Sequence, residues 1–127
     1  MKPGNKYLLI LVLVTTVGLG LLIFLGNSQP NVEVVVINQS GQSLATIHLK
    51  TEKSGKNIVL RGIDAGAQVT VKFHNDGADT FHILVRFAKG NEIAGNPVYF
   101  ELGYRGIVTI AEKEIISASS SAQVPAN

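Results

Sequence analysis

The stretch Val69-Thr70-Val71-Lys72-Phe73-His74-Asn75-Asp76-Gly77-Ala78-Asp79-Thr80-Phe81-His82-Ile83-Leu84-Val85-Arg86-Phe87 sets two apolar runs around a cluster of turn residues. Successive side chains of a strand point to opposite faces. Val69, Val71 and Phe73 therefore share one face, with Thr70, Lys72 and His74 on the other. In the second run Phe81, Ile83, Val85 and Phe87 share a face, with Thr80, His82, Leu84 and Arg86 opposite. The alternation predicts two strands joined as a hairpin through Asn75-Asp76-Gly77-Ala78-Asp79. Both apolar sets reach one face only if the loop has an odd length, three or five residues, because a one-residue slip turns a set to solvent. These aromatic and aliphatic side chains should form the centre of the core.

Working outward, short apolar runs alternate with Gly, Asn, Asp and Ser clusters from Val32 to Ile116. Seven strands are predicted, at about 32–38, 44–51, 57–63, 67–74, 80–88, 97–104 and 107–112. Their spacing fits an antiparallel sandwich or barrel, and no sustained amphipathic helical pattern interrupts them. Val34-Val35-Val36-Ile37 is apolar on both faces, which predicts an inner or covered strand. Asn38-Gln39-Ser40-Gly41 reads as a turn and also matches an N-glycosylation acceptor. Pro97 opens the sixth strand, a place where proline is tolerated. Tyr104, in the turn Gly103-Tyr104-Arg105-Gly106, reads as a rim residue rather than a corner tyrosine bonded to the backbone. By strand count the domain resembles an immunoglobulin-like sandwich, an analogy about fold alone.

Upstream, residues 7–25 hold 19 consecutive residues without a charge. As a helix this run would be about 28 Å long, close to the hydrocarbon thickness of a bilayer. It is apolar all round, and its backbone would satisfy itself in lipid. Lys2 and Lys6 precede it, and the next positive residue is Lys50. The positive-inside rule then puts the N-terminus in the cytoplasm and the rest of the chain outside. A cleaved signal peptide is the rival reading, but the run exceeds the usual h-region. No cysteine follows it to take a lipid. Thr16 and Gly20 form a small-xxx-small pair that can bring two helices together, although such pairs arise readily by chance.

The chain of 127 residues therefore divides into a cytoplasmic n-region at 1–6, a transmembrane helix at 7–25, a linker at 26–31, a β-sandwich at 32–116 and a flexible tail at 117–127. The fold class is all-β, a seven-strand antiparallel immunoglobulin-like sandwich preceded by one transmembrane helix.

Charge limits the function. Beyond Lys6, nine Lys and Arg face nine Asp and Glu, interspersed. A neutral domain lacks the basic stripe that nucleic acid requires. Absence of cysteine excludes a disulfide scaffold and thiolate metal sites. No Gly-x-Ser-x-Gly elbow, phosphate loop or dinucleotide fingerprint is present, so no catalytic residue is assigned and no cofactor is expected. The remaining constellation is histidine. His48, His74 and His82 fall on polar strand faces. In a five-residue hairpin His74 sits opposite His82, with Asp76 and Asp79 in the turn, and two imidazoles with a carboxylate can hold Zn²⁺ or Cu²⁺. Solvent-facing histidines with turn-forming aspartates account for the same residues. The reading is a single-pass protein of the inner membrane. Its partners are the bilayer, through residues 7–25, and another envelope protein, and it is not an enzyme. The alternative is a small metal- or ligand-binding protein using His74 and His82.

Overall fold

The computed structural model describes residues 9–13, 20–25 and 29–119. Its strands are β1 (Leu9–Leu13), β2 (Gly20–Leu25), β3 (Val32–Asn38), β4 (Leu44–Thr51), β5 (Asn57–Ile63), β6 (Gln68–Phe73), β7 (Asp79–Phe87), β8 (Glu92–Ala94), β9 (Val98–Phe100), β10 (Arg105–Ile110) and β11 (Ile115–Ser119). The architecture is all-β, in two sheets. One runs β1-β5-β4-β7, with β8 and β9 both on the outer side of β7, and the other runs β11-β10-β3-β6-β2. Their inward faces interlock over one core. Val34, Val36, Val69, Val71, Val108 and Ile110 come from one sheet, and Ile47, Leu49, Ile58, Leu60, Ile83, Val85 and Phe87 from the other.

Five of the expected strands, 32–38, 44–51, 57–63, 67–74 and 80–88, agree with β3 to β7 to within a residue. Their pairing departs from expectation. β6 and β7 lie in different sheets, so no hairpin joins them. β6 pairs with β3, placing Val71 against Val34, and β7 pairs with β4, placing Ile83 against Leu49. The loop between them arches from one sheet to the other. Inward alternation is satisfied equally well by two strands facing each other across a core, so the pattern that suggested a hairpin is compatible with an arch.

The expected strand 97–104 is also redistributed. Leu84 faces Ala94 while Phe81 faces Val98, so three steps along β7 match four along its neighbour. Thus β8 and β9 are one edge strand interrupted by a bulge at Gly95-Asn96-Pro97, where Pro97 has no N–H to give the ladder. The Gly95 N–H still bonds to the Ile83 carbonyl, at 3.0 Å. Counted so, the described residues hold ten strands where seven were expected.

The sheets are not purely antiparallel, because β10 runs parallel to β3. Both strands start at the end where the chain passes through Gln29–Asn31 into β3, here the N-proximal end. The turn 101–104 delivers β10 to that same end. Ile115–Ser119 pairs with β10, so residues 117–119 belong to a strand rather than to a tail. Residues 120–127 lie outside the described residues.

Tyr104 is not a rim residue. Its ring packs against Phe81 and Phe100, with centroids 6.2 and 6.1 Å away, and covers Gly106, where a Cβ would collide with the ring. Burial raises its hydroxyl pKa above the ordinary tyrosine value. The doubly apolar β3 is central in its sheet, as expected of an inner strand, with Val35 and Ile37 half-buried on its outer face.

Within the 7–25 run, the described residues are extended rather than helical. β1 pairs parallel with β5 and β2 parallel with β6, each at the edge of its sheet. No helix among the described residues is long and apolar enough to cross a membrane. The reason is local: the outer edges of β5 and β6 present backbone N–H and C=O groups, and an apolar segment offers a matching ladder. Residues 1–8, which include Lys2 and Lys6, and 14–19, which include Thr16, lie outside the described residues.

Candidate functional site

The N-proximal end gathers the polar side chains that the sequence singled out, and places them differently. β6 ends at Phe73 and β7 begins at Asp79, so His74-Asn75-Asp76-Gly77-Ala78 forms the arch. Asn31 clamps it, because its Oδ1 accepts the Asn75 N–H at 2.8 Å and its Nδ2 donates to the Asn75 carbonyl at 2.9 Å. The Asn75 side chain donates onward to the Gly77 carbonyl at 2.8 Å.

Asp79 is the centre of this end. It is 1% exposed. Its carboxylate accepts the N–H groups of Lys53 (2.8 Å), Ser54 (2.9 Å) and its own neighbour Thr80 (2.8 Å). One side chain thereby ties the turn between β4 and β5 to the start of β7. Burial pushes the carboxyl pKa up. The N–H groups of Lys53, Ser54 and Thr80 and the Ser54 hydroxyl outweigh it and hold it at about 2. A carboxylate so occupied has no free lone pair aimed at solvent for proton transfer, and its chemistry is that of an anchor. Turn chemistry was expected of Asp79, but within its own loop. The turn it closes lies 25 residues upstream, and no local pattern could reveal that.

The structure does not bring His74 and His82 together. His74 stands on the arch, with Nδ1 3.0 Å from the Gln29 carbonyl oxygen and Nε2 3.1 Å from Asp76 Oδ1. His82 stands on the outer face of the other sheet, where Nε2 lies 2.5 Å from Glu52 Oε2. The pairing on which the metal reading rested required a hairpin, and the arch removes it. His48 is on the same outer face as His82, one row away: His48 faces Leu84, and His82 faces Lys50. Among the described residues no three His, Asp or Glu side chains converge as metal ligands would.

The glycosylation match at Asn38 is likewise reinterpreted. Asn38 is fully buried, and its Nδ2 donates to the carbonyls of Gln42 (2.7 Å), Asp64 (3.0 Å) and Ile63 (3.2 Å). A nitrogen in that position is closed to a glycan in the folded protein.

Outside these clusters the surface carries mixed ion pairs. Glu33 lies 3.7 Å from both Lys72 and Arg105, and Arg86 meets Glu92 at 2.7 Å. The depressions among the described residues are shallow. One of about 370 Å³, lined by Gln29, Asn31, Glu33, Lys72 and Arg105, lies at the N-proximal end.

No family model matches this chain, and no curated protein matches it. Among solved structures it is similar to one described as the NMR structure of the protein from Eubacterium rectale. The identity is 10%, the match covers 80% of this chain and 99% of that one, and the TM-score is 0.56. A likeness at this identity is one of fold alone.

Proposed function

We propose that the chain is a bitopic membrane protein whose immunoglobulin-like sandwich stands outside the cytoplasmic membrane as a protein-interaction module. The run at 7–25 crosses the bilayer as a helix, with Lys2 and Lys6 inside. One observation carries the reading. The part of the fold built from the apolar run is peripheral in the sheets: β1 and β2 each occupy a sheet edge. The run can therefore leave for lipid while the pairing among β3 to β11 is kept. Lipid offers its backbone a helix that needs no partner strand.

Withdrawal of the run exposes the edges of β5 and β6, which accept a parallel strand along residues 57–61 and 68–73. An envelope partner that donates an extended segment would use main-chain hydrogen bonds there for affinity. The neutral charge balance suits a protein partner rather than a polyanion.

The test has two parts. A reporter fused after Asn127 should be active only outside the cytosol, and activity confined to the cytosol overturns the orientation. A photo-crosslinking residue at Thr70, on β6, should capture an envelope protein that the same residue at Lys89 does not. Equal capture at both positions, or none at either, overturns the interaction reading.

A further inference from the structure

The two strands of the apolar run meet the sandwich in one register. Each residue of β1 pairs with the residue 48 positions further on (57 − 9), from Leu9 with Asn57 to Leu13 with Arg61. The same offset of 48 (68 − 20) runs along β2, from Gly20 with Gln68 to Leu25 with Phe73. Strands that docked independently would be free to slip by different amounts. The shared offset means that β1 and β2 follow the course of β5 and β6 one strand spacing further out. One segment thereby closes an edge of each sheet.

The backbone groups along a sheet edge serve one neighbouring strand at a time. A partner strand and the run therefore exclude each other on β5, and again on β6. Outside lipid the pairing answers two needs at once. Bare edges invite pairing with other chains, and 19 uncharged, largely apolar residues are poorly received by water. The fit is incomplete, because Leu22 is 49% exposed while its neighbour Ile23 is buried. An edge strand leaves apolar side chains in water that lipid would cover, so a bilayer competes for the same residues.

We propose that the apolar run is an intramolecular cover for the partner site: outside lipid it seals the β5 and β6 edges together, and its insertion as a helix is the step that opens both. An envelope partner then binds only a chain that has reached the membrane. A chain that has not inserted is kept from pairing with the wrong strands. This inference rests on the anchor reading proposed above and adds to it a closed state and the event that ends it.

The chain contains no cysteine, so introduced pairs report without background. Register neighbours on adjacent strands lie about 4.8 Å apart, within disulfide reach. The full-length chain is synthesised cell-free as Leu13→Cys/Arg61→Cys and as Leu22→Cys/Thr70→Cys, with and without vesicles of phosphatidylcholine and phosphatidylglycerol, and then oxidised. Without vesicles both pairs should form intramolecular disulfides, and Leu22→Cys/Lys89→Cys should not. With vesicles both yields should fall about tenfold as the population shifts. A single Val17→Cys should then be shielded from a membrane-impermeant maleimide. In the native sequence, hydrogen exchange of residues 57–61 and 68–73 should accelerate with vesicles, and that of the central strand β4 should not. If position 17 is shielded by vesicles but neither pair forms without them, the anchor stands and the cover is overturned. One pair forming without the other shows that β1 and β2 do not act together, and overturns it too. Shielding at position 17 with unchanged exchange at both edges overturns the opening step. If both pairs form equally with and without vesicles and position 17 stays reactive, the anchor reading falls and the opening step with it.

Discussion

At the N-proximal end of the sandwich the buried polar groups include a carboxylate, Asp79, beside the amide of Asn75, and at the opposite end the buried polar groups, Asn38 and Ser40, are neutral. Asp79 gathers three backbone N–H groups from two segments. Asn38 donates to three carbonyls from two segments, and its Oδ1 accepts the Ser40 N–H at 3.1 Å and the Ser40 hydroxyl at 2.7 Å. Each closes an end of a two-sheet fold whose loops would otherwise leave buried backbone groups unpaired. The packing differs too. The aromatic cluster of Phe73, Phe81, Phe100 and Tyr104 lies beside Asp79, whereas buried Leu44, Ile63, Ile110 and Phe87 lie toward Asn38. Similar connectivity is thus built once with a charge and rings and once with neutral groups and mainly aliphatic side chains. The charged end should respond to pH and the neutral end should not.

The largest expected effect comes from the core. Phe81→Ala removes a ring that touches both Phe100 and Tyr104, and should cost about 3–5 kcal/mol in equilibrium denaturation. Ile63→Ala, at the opposite end, should cost less, about 2–4 kcal/mol, because a smaller cavity is left. Equal losses would mean that cavity size does not set the difference between the two ends. Next comes Asn38→Ala, which removes the donor to the carbonyls of Ile63 and Asp64 and the acceptor of the Ser40 N–H, while the Gln42 carbonyl keeps the Ser40 hydroxyl. A stranded buried group costs about 1–3 kcal/mol. Several share this site, so a loss of about 3 kcal/mol is expected. That loss should be the same at pH 3 as at pH 7, and a pH-dependent loss would break the contrast between the ends.

The carboxylate end supplies the pH dependence. The folded-state pKa of Asp79 is about 2 against an ordinary value of 3.8, so the native state binds this proton less readily than the unfolded chain. Its contribution is therefore fully present above about pH 4 and is lost as pH falls through 2. At 1.36 kcal/mol per pKa unit the contribution is about 2 kcal/mol. Denaturation midpoints measured between pH 5 and pH 2 should decline by that amount in the native sequence. In Asp79→Asn this part of the decline should vanish, and Asn38→Ala should retain it. An unchanged slope in Asp79→Asn would assign the titration to other carboxylates.

The alternation in the Val69–Phe87 stretch made the strands and their inward faces legible, because burial depends on face and face depends on parity. It could not make the pairing legible. Partner choice between hairpin and arch rests on long-range contacts such as Asn31 with Asn75 and Asp79 with Lys53. Their members are 44 and 26 residues apart and leave no local period. His74 and His82 were misplaced relative to each other for that reason alone, since each does lie on a polar surface. Asn38 shows the opposite failure. A residue whose type and neighbours fit a surface turn is the most buried polar group at its end, because three carbonyls from later in the chain converge on it. The apolar run at 7–25 is legible as apolar and uncharged. Whether it forms a helix or pairs as strands depends on the solvent that receives it, which its sequence does not contain.

The smallest expected effect tests burial directly, within the N-proximal end. His82 and Glu52 approach to 2.5 Å, closer than any contact of Asp79, and both side chains are about half exposed. Water already solvates each partner, and ordering two mobile side chains costs entropy, so exposed pairs contribute about 0.2–1 kcal/mol whatever their separation. A double-mutant cycle of His82→Ala and Glu52→Ala should return a coupling in that range, and 1 M salt should reduce it, because both side chains are open to ions. The Asp79 contribution should survive the same salt, since its N–H partners are neutral, fixed and shielded from ions. A coupling for the exposed pair as large as the Asp79 effect would mean that contact length, not burial, decides which polar groups hold this end together.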